Sequence, residues 1–199
     1  MAFGVILGVT GVCYLAVLTN IVAAGCAAVT LLLYVFVYTP SKRIGPFCVL
    51  VGAVPGALPP VIGWAAASGS ISFEAWLLFA IVFIWQLPHF AAIAWLYRDD
   101  YRRAGFPMML VVDEQGIRTD LHIITHSVTL LAASLLPVVY GVVGTAYAAS
   151  AMVLGPGFLA MGILFVLRKT VPMARLHLAA SVTYLPCLCL AMMLDKVGV

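Results

Sequence analysis

Seven apolar runs, each about as long as a bilayer is thick, restrict this chain to few folds. A membrane-spanning helix needs about 20 mainly apolar residues. Only 9% of the residues are charged, against roughly a quarter in soluble domains. The sequence therefore predicts an all-α, multi-pass membrane helical bundle with seven transmembrane helices, forming a single domain over residues 1–199. The runs cover 2–19, 21–38, 47–67, 73–96, 123–141, 148–167 and 176–194.

The basic residues predict how these spans are oriented. Nine of the ten Lys and Arg residues fall in alternate loops facing one side of the membrane, and Lys196 falls on the other. Because cytoplasmic loops are enriched in Lys and Arg, loops 39–46, 97–122 and 168–175 are predicted to be cytoplasmic. The N-terminus is then inside and the C-terminus outside. The nine residues are Lys42, Arg43, Arg98, Arg102, Arg103, Arg118, Arg168, Lys169 and Arg175.

The third run is interrupted by prolines and glycines, including Pro55, Pro59 and Pro60. Proline removes a backbone hydrogen bond and bends a helix. In lipid the carbonyls so released must find partners in neighbouring helices or in a polar cavity. The run therefore predicts a bent helix, which either only packs or also shapes a substrate cavity.

Several classes of function are disfavoured by the remaining composition. The few basic residues form no stripe of the kind that binds nucleic acid. The five cysteines lie in apolar runs without a CxxC pair or a zinc-like spacing, and we interpret them as small apolar residues.

The fourth run carries polar residues that a membrane helix rarely tolerates. Gln86 and His89 are three apart, which predicts one helical face, and Pro88 lies between them. They lie two to three turns from the end of the run, about 12–16 Å into the membrane by helix rise. Intramembrane polar groups usually face a cavity or a partner. His89 could bind substrate or simply hydrogen-bond a neighbouring helix.

Charges of both signs meet where the second and fourth runs end. Lys42 and Arg43 could anchor a helix at lipid headgroups or bind phosphate. Asp99 and Asp100 could hold magnesium together with a diphosphate, or form weak surface ion pairs with neighbouring arginines.

Other histidines and aromatic residues complete the pattern. His122, His126 and His177 are expected at the membrane interface, although the first two could bind a metal given a third ligand. An aromatic cavity lining is expected from Trp64, Trp76, Trp85, Phe90 and Trp95, and such rings can stabilise a cation. The residues thus indicate a lipophilic substrate with a phosphate head, handled by an enzyme or by a polyprenyl-phosphate carrier.

Four ordered segments closely resemble the haem O synthases (protohaem IX farnesyltransferases), a branch of the UbiA-type intramembrane prenyltransferases. The C-terminal Ala174-Arg175, Ser181-Val-Thr-Tyr-Leu185 and Asp195 also resemble that family's last helix. The four segments are Tyr38-Thr-Pro-Ser-Lys-Arg43, Gly52-Ala-Val-Pro-Gly-Ala-Leu-Pro-Pro-Val-Ile-Gly-Trp64, Trp85-Gln-Leu-Pro-His-Phe90 and Arg98-Asp-Asp-Tyr-Arg-Arg-Ala-Gly-Phe-Pro-Met108.

The resemblance implies a reaction, a cofactor and a location. Farnesyl diphosphate would ionise with Mg²⁺, and a vinyl group of haem B would attack its allylic carbon to give haem O. A bacterial inner membrane would house the enzyme, with haem A synthase or an oxidase-assembly protein as a partner. The implied substrate-binding residues are Tyr38, Lys42, Arg43, Arg98, Trp85, Gln86 and His89; the implied catalytic residues are Asp99, Asp100 and Tyr101, with Asp99 and Asp100 at the metal.

The chain departs from the family pattern in two ways. The second acidic motif of the wider family would place its outer aspartates at Tyr97 and Tyr101, whereas the acids here are Asp99 and Asp100, which favours haem over a quinone as acceptor. The family has nine spans and a first acidic motif between spans two and three, and no aspartate precedes Asp99. We therefore expect little activity from these 199 residues alone. The alternatives are a non-catalytic relative that binds haem or an assembly partner, and a quinone-type prenyltransferase.

Overall fold

A computed structural model describes residues 2–113 and 115–197, and most of these residues are helical. Six helical segments within them are long and apolar enough to cross a membrane, and the apolar helix α1, with 17 residues, is slightly shorter. The predicted helical membrane bundle is confirmed, with six such segments plus α1 in place of seven equivalent spans. The helices are α1 (Ala2–Leu18), α2 (Ile21–Leu32), a π-helical turn (Leu33–Tyr38), α3 (Thr39–Ser41), α4 (Cys48–Ala57), α5 (Pro59–Ser68), α6 (Phe73–Leu96), α7 (Arg98–Arg103), α8 (Met109–Val112), α9 (Ile117–Val139), α10 (Thr145–Arg168) and α11 (Val171–Leu194).

Helix α6 lies at the centre of the bundle. It packs against α4 and α5 on one side and against α9 and α11 on the other, and α10 packs against α9 and α11. Small buried residues such as Ala75 and Ala92 let neighbouring backbones approach α6 closely. Helix α6, formed by the fourth apolar run, is therefore in contact with both halves of the bundle.

The core between α6, α9, α10 and α11 contains buried polar groups that are paired with one another. The Tyr147 hydroxyl donates to the Ser134 carbonyl at 2.8 Å, and the Ser134 and Tyr184 hydroxyls lie 2.7 Å apart. Asp195, just after α11, accepts a hydrogen bond from the Tyr147 amide at 2.7 Å and so caps α10. These bonds tie the last three long helices together.

The third run is bent, as the sequence predicts. Helix α4 ends at Ala57 and α5 begins at Pro59, with Leu58 at the break. Pro59 and Pro60 have no amide hydrogen, so two carbonyls of α4 lose their usual helical donors. The Gln86 amide of α6 donates to the Ala53 carbonyl of α4 at 3.3 Å, which links α6 to this segment.

Asn20 defines the short joint between the first two runs. Its side-chain oxygen accepts from the Ala23 amide at 2.9 Å and caps α2, and its side-chain nitrogen donates to the Ala65 carbonyl at 2.7 Å. The start of α2 is thereby held against the end of α5. The predicted separation of these two runs at Asn20 is confirmed.

Three helices begin earlier along the chain than the apolar runs predict. Helix α9 begins at Ile117 rather than 123, α10 at Thr145 rather than 148, and α11 at Val171 rather than 176. The predicted loop 97–122 is shorter and contains α7 and α8. The apolar runs mark only the most hydrophobic part of each helix, and less apolar residues extend it, such as Arg118 and Asp120 in α9 and Arg175 in α11.

We expect Gly56→Ala to destabilise the protein by about 1–2 kcal/mol. A Cβ at Gly56 would collide with the Gln86 side-chain amide, which is buried and hydrogen-bonded to α4. Gly63→Ala is the matched control, because a Cβ there meets no atom within 4 Å. Thermal unfolding in detergent measures both variants. Equal stability of the two variants would contradict this packing.

Candidate functional site

Lys42 emerges at one end of the bundle, after the π-helical turn. Its ammonium lies 4.5 Å from the centre of the Tyr38 ring and 6.0 Å from that of Tyr34. Within the described residues, neither Lys42 nor the exposed Arg43 forms an ion pair with a carboxylate. Two cationic groups are therefore available here for an anionic ligand.

Helix α7 carries both predicted acids, and each is paired within the helix. Asp99 lies 3.6 Å from Arg102, and Asp100 contacts Arg103. The two acidic side chains are 72% and 61% exposed, so these pairs are weak and exchangeable. Arg98 instead lies over the Trp95 ring, 5.2 Å from its centre.

The beginning of α4 lies between the Lys42 segment and the chain that follows α7. The Tyr38 ring packs against Gly52, where a Cβ would collide with it. The buried Cys48 thiol lies 3.7 Å from the Met108 sulfur. The sequence-predicted cations and acids are thus brought to the same end of the bundle, on two sides of α4.

His89 points towards α11 and contacts Ser181. Its Nδ1 lies 2.7 Å from the Ser181 hydroxyl, and its ring stacks on Trp85, with centroids 4.7 Å apart. The Trp85 indole N–H donates to the Ser181 carbonyl at 2.8 Å. Sequence reasoning missed this role of Ser181, because no spacing pattern shows which neighbouring helix His89 faces.

Gln86 and His89 do not share neighbours, although their spacing predicts one face. Gln86 is buried against α4, where its amide binds the Ala53 carbonyl, whereas His89 reaches α11. A separation of three residues leaves about 60° between two side chains on a helix. That angle is enough for the two side chains to reach different neighbouring helices, α4 and α11.

Two cavities lie close to this end of the bundle. An apolar one of about 160 Å³ is lined in part by Phe90, Met108, Met109, His122 and His126. The His126 Nδ1 donates to the His122 carbonyl at 2.7 Å. We expected this pair at the membrane interface; in the structure both residues line the wall of a cavity.

The second cavity, of about 330 Å³, is polar. Its lining includes three basic residues and three acidic residues: Arg98, Arg102, Lys169, Asp99, Asp113 and Asp120. The Lys169 ammonium lies 2.7 Å from the Asp120 carboxylate. The cavity thus carries positive and negative charges in balance rather than an excess of either.

His177 is not interfacial, and this prediction was wrong. Its side chain is 0% exposed, and its ring stacks on Phe158 with centroids 4.7 Å apart. Neither ring nitrogen has a hydrogen-bond partner among the described residues. Its position near the start of a predicted span suggested an interface, whereas this face of α11 lies in the core.

The five aromatic residues expected to line one cavity are dispersed. Trp64 lies beneath Lys196 at the opposite end of the bundle, and Trp76 is half exposed. Phe90 lines the apolar cavity and Trp95 the polar one. Trp85 alone among the five stacks on His89.

Asp99 and Asp100 are suited to Mg²⁺ but cannot enclose it. The residues that the structure describes contain no group of three or more His, Cys, Asp or Glu side chains placed to hold a metal. Mg²⁺ usually takes one or two carboxylates and completes its octahedron with water and substrate phosphates. Either exposed carboxylate can supply such a ligand, although the two point about 100° apart on α7 because they are adjacent on a helix.

Comparison with known proteins gives a consistent result. The model of the UbiA prenyltransferase family matches residues 1–185. A protein named protoheme IX farnesyltransferase from Solibacter usitatus is 45% identical over all of this chain and 68% of its own length. The protein of that name from Koribacter versatilis is 41% identical over 98% of this chain and 66% of its own. The mitochondrial protein of that name from Arabidopsis thaliana is 36% identical over all of this chain and 46% of its own.

The fold is also similar to a solved structure. This chain superimposes with a TM-score of 0.75 on a chain from a study of digeranylgeranylglyceryl phosphate synthase in membranes. The match covers 98% of this chain and 68% of the other, at 18% identity. The chain therefore spans about two thirds of this structure and of the two bacterial relatives.

We expect Asp99→Ala and Asp100→Ala each to change the free energy of unfolding by less than about 0.5 kcal/mol, because exposed ion pairs contribute little. Asp195→Ala is the contrasting control, since it removes the cap of α10 and should cost about 1 kcal/mol. Denaturation in detergent compares the three. A large loss for either α7 variant would show that its ion pair is structural.

Proposed function

The chain belongs to the UbiA prenyltransferase family, and we propose that the native protein transfers a farnesyl group from farnesyl diphosphate to haem B, giving haem O. The observation that carries the proposal is identity of 36–45% over the whole chain to proteins named for this reaction. The cations and acids at one end of an apolar bundle support it, because both substrates combine a large apolar part with anionic groups.

The reaction breaks one bond of farnesyl diphosphate and forms two on the haem vinyl group. The allylic C–O bond breaks, and diphosphate leaves with its electron pair. The vinyl π electrons attack the allylic carbon and leave a cation on the carbon next to the porphyrin. Water adds there and loses a proton, which produces the hydroxyethylfarnesyl group.

Lys42 and Arg43 would bind the departing diphosphate. The Lys42 ammonium is held over Tyr38, so it is positioned without being neutralised by a carboxylate. Arg43 can offer a bidentate fork to phosphate oxygens. Tyr38 thus orients the Lys42 ammonium. Arg98, on the other side of α4, is a second candidate for anion binding.

Asp99 and Asp100 would hold Mg²⁺ with diphosphate oxygens, and Tyr101 follows them on α7. Bound there, Mg²⁺ would neutralise charge that develops on the leaving group. The Arg102 and Arg103 side chains now paired with the acids would be released to the phosphate. Exchange of this kind is inexpensive because both ion pairs are exposed.

Trp85 and His89 would face the porphyrin. Because the two rings stack on each other, the pair would direct ring edges, including the His89 Nε2, towards an extended aromatic ligand. In this proposal Gln86 does not contact the substrate; its hydrogen bond to Ala53 holds α4 against α6.

The protein is an integral, multi-pass membrane protein, with six long apolar helical segments among its described residues. We propose that the end carrying Lys42, α7 and Lys169 is cytoplasmic, in a bacterial inner membrane, because most basic residues gather there. Haem A synthase or an oxidase-assembly protein would then be a natural recipient of the product.

The acceptor is tested by product mass. Membranes that contain the native protein are supplied with farnesyl diphosphate, haem B and, separately, a quinone precursor. A haem product heavier by one farnesyl group plus one hydroxyl group supports the proposal. A prenylated quinone would overturn it in favour of the quinone branch, and haem binding without any product would indicate a non-catalytic relative.

We expect Lys42→Ala to lower kcat/KM for farnesyl diphosphate roughly 100-fold, because a cation on the leaving group is lost. Lys196→Ala is the matched control: its ammonium also lies over an aromatic ring, 5.5 Å from the centre of Trp64, but at the opposite end of the bundle. Haem O formation in membranes measures both. Equal activity of the two variants would rule out Lys42 as a diphosphate ligand.

A further inference from the structure

The contact between His89 and Ser181 determines which imidazole nitrogen carries the proton. The Ser181 hydroxyl lies 2.6 Å from the Leu178 carbonyl and 2.7 Å from His89 Nδ1. A carbonyl can only accept, so the single hydroxyl proton must point to Leu178. Otherwise two oxygen lone pairs would face each other at 2.6 Å.

The Ser181 oxygen can therefore only accept from His89. Nδ1 must carry a hydrogen, and in the neutral ring Nε2 then carries a lone pair. Nε2 has no hydrogen-bond partner among the described residues, and unlike the ring nitrogens of His177 it is not sealed in the core. A basic nitrogen is thus left open beside the bundle interior.

Two further contacts hold this arrangement in place. Trp85 stacks on the His89 ring at an interplanar angle of 20°. Its indole also donates to the Ser181 carbonyl at 2.8 Å, so the same residue fixes both partners. Ser181 is fully buried, which excludes water as a competing partner for its hydroxyl.

We propose that Ser181 is a positioning residue that holds His89 as the Nδ1–H tautomer, so that Nε2 binds the iron of the haem substrate. Histidines that ligate metals usually donate their other N–H to an oxygen, which fixes the ring and raises its basicity. This inference rests on the proposed function for the identity of the ligand. The tautomer itself does not depend on that function.

The first measurement is ¹⁵N NMR of the native protein, labelled at histidine, in lipid bilayers without haem. Few histidines need to be separated, and the His89 signals are those that disappear in His89→Gln. We expect an unprotonated Nε2 in the wild type and a mixture of tautomers in Ser181→Ala. A protonated Nε2 in the wild type would overturn the proposal whatever the enzyme does.

The second measurement is titration of ferric haem B into the same protein, followed by absorption and EPR spectra. Wild-type protein should show nitrogen ligation that is lost in His89→Gln, and Ser181→Ala should bind haem roughly tenfold more weakly. Identical spectra for wild type and His89→Gln would overturn the iron contact.

Ser127→Ala is the matched control for the loss of a buried hydroxyl. Ser127 is also buried and also donates to a carbonyl of its own helix, that of Ile123 at 2.7 Å, without contacting His89. It should leave both the His89 tautomer and haem affinity unchanged. If it weakens haem binding as much as Ser181→Ala does, general packing rather than the tautomer is responsible, and the proposal fails.

The two proposals can fail separately. Nitrogen ligation by His89 without haem O formation would support this inference and overturn the proposed reaction. Haem O formation by His89→Gln at the wild-type rate and with wild-type haem spectra would support the proposed reaction and overturn this inference.

Discussion

Every backbone polar group of a helix in lipid must find its partner inside the protein, and this chain interrupts its helices with proline repeatedly. Pro59 and Pro60 break the third span, and the Gln86 amide of α6 bonds the Ala53 carbonyl in the half of that span before the break. Pro88 lies within α6 itself, between Gln86 and His89. The two intramembrane polar residues of α6 therefore flank a proline. Gln86, which holds two helices together, lies three residues from His89, which is proposed to contact the substrate.

Helix α6 transmits this constraint to both parts of the candidate site. One of its faces is fixed to α4 through Gln86, and another is fixed to α11 through Trp85 and His89. Its end leads directly into α7, which carries the acids. The charged end and the deeper aromatic surface are therefore parts of one element, and a change in the position of α6 would move them together.

The fold was predictable because apolar length alone determines where membrane helices lie. The limits of these helices were not predictable, since the start of α9 contains Arg118 and Asp120 and the start of α11 contains Pro172 and Arg175, residues that are typical of loops between spans. Charge at the ends of spans predicts Lys42 and the α7 acids as candidate residues, but it does not show that Asp99 pairs with Arg102 rather than Arg98. Ser181 and His177 depend on which faces of α11 meet α6 and α10. Neither hydropathy nor spacing contains that information.

The π-helical turn at Leu33–Tyr38 has a consequence for how this helix compares with others. The Thr39 amide bonds to the Tyr34 carbonyl, five residues back, so the turn holds one residue more than an α-helical turn. Each α-helical residue advances about 100° around the axis, and the extra residue shifts the phase of everything after it by that amount. A helix without the turn could match this one at both ends and still need a one-residue gap between them. The inserted residue would then leave the positions of the two flanking helices unchanged. It would change only which residues after the turn, Lys42 among them, occupy each direction around the helix axis.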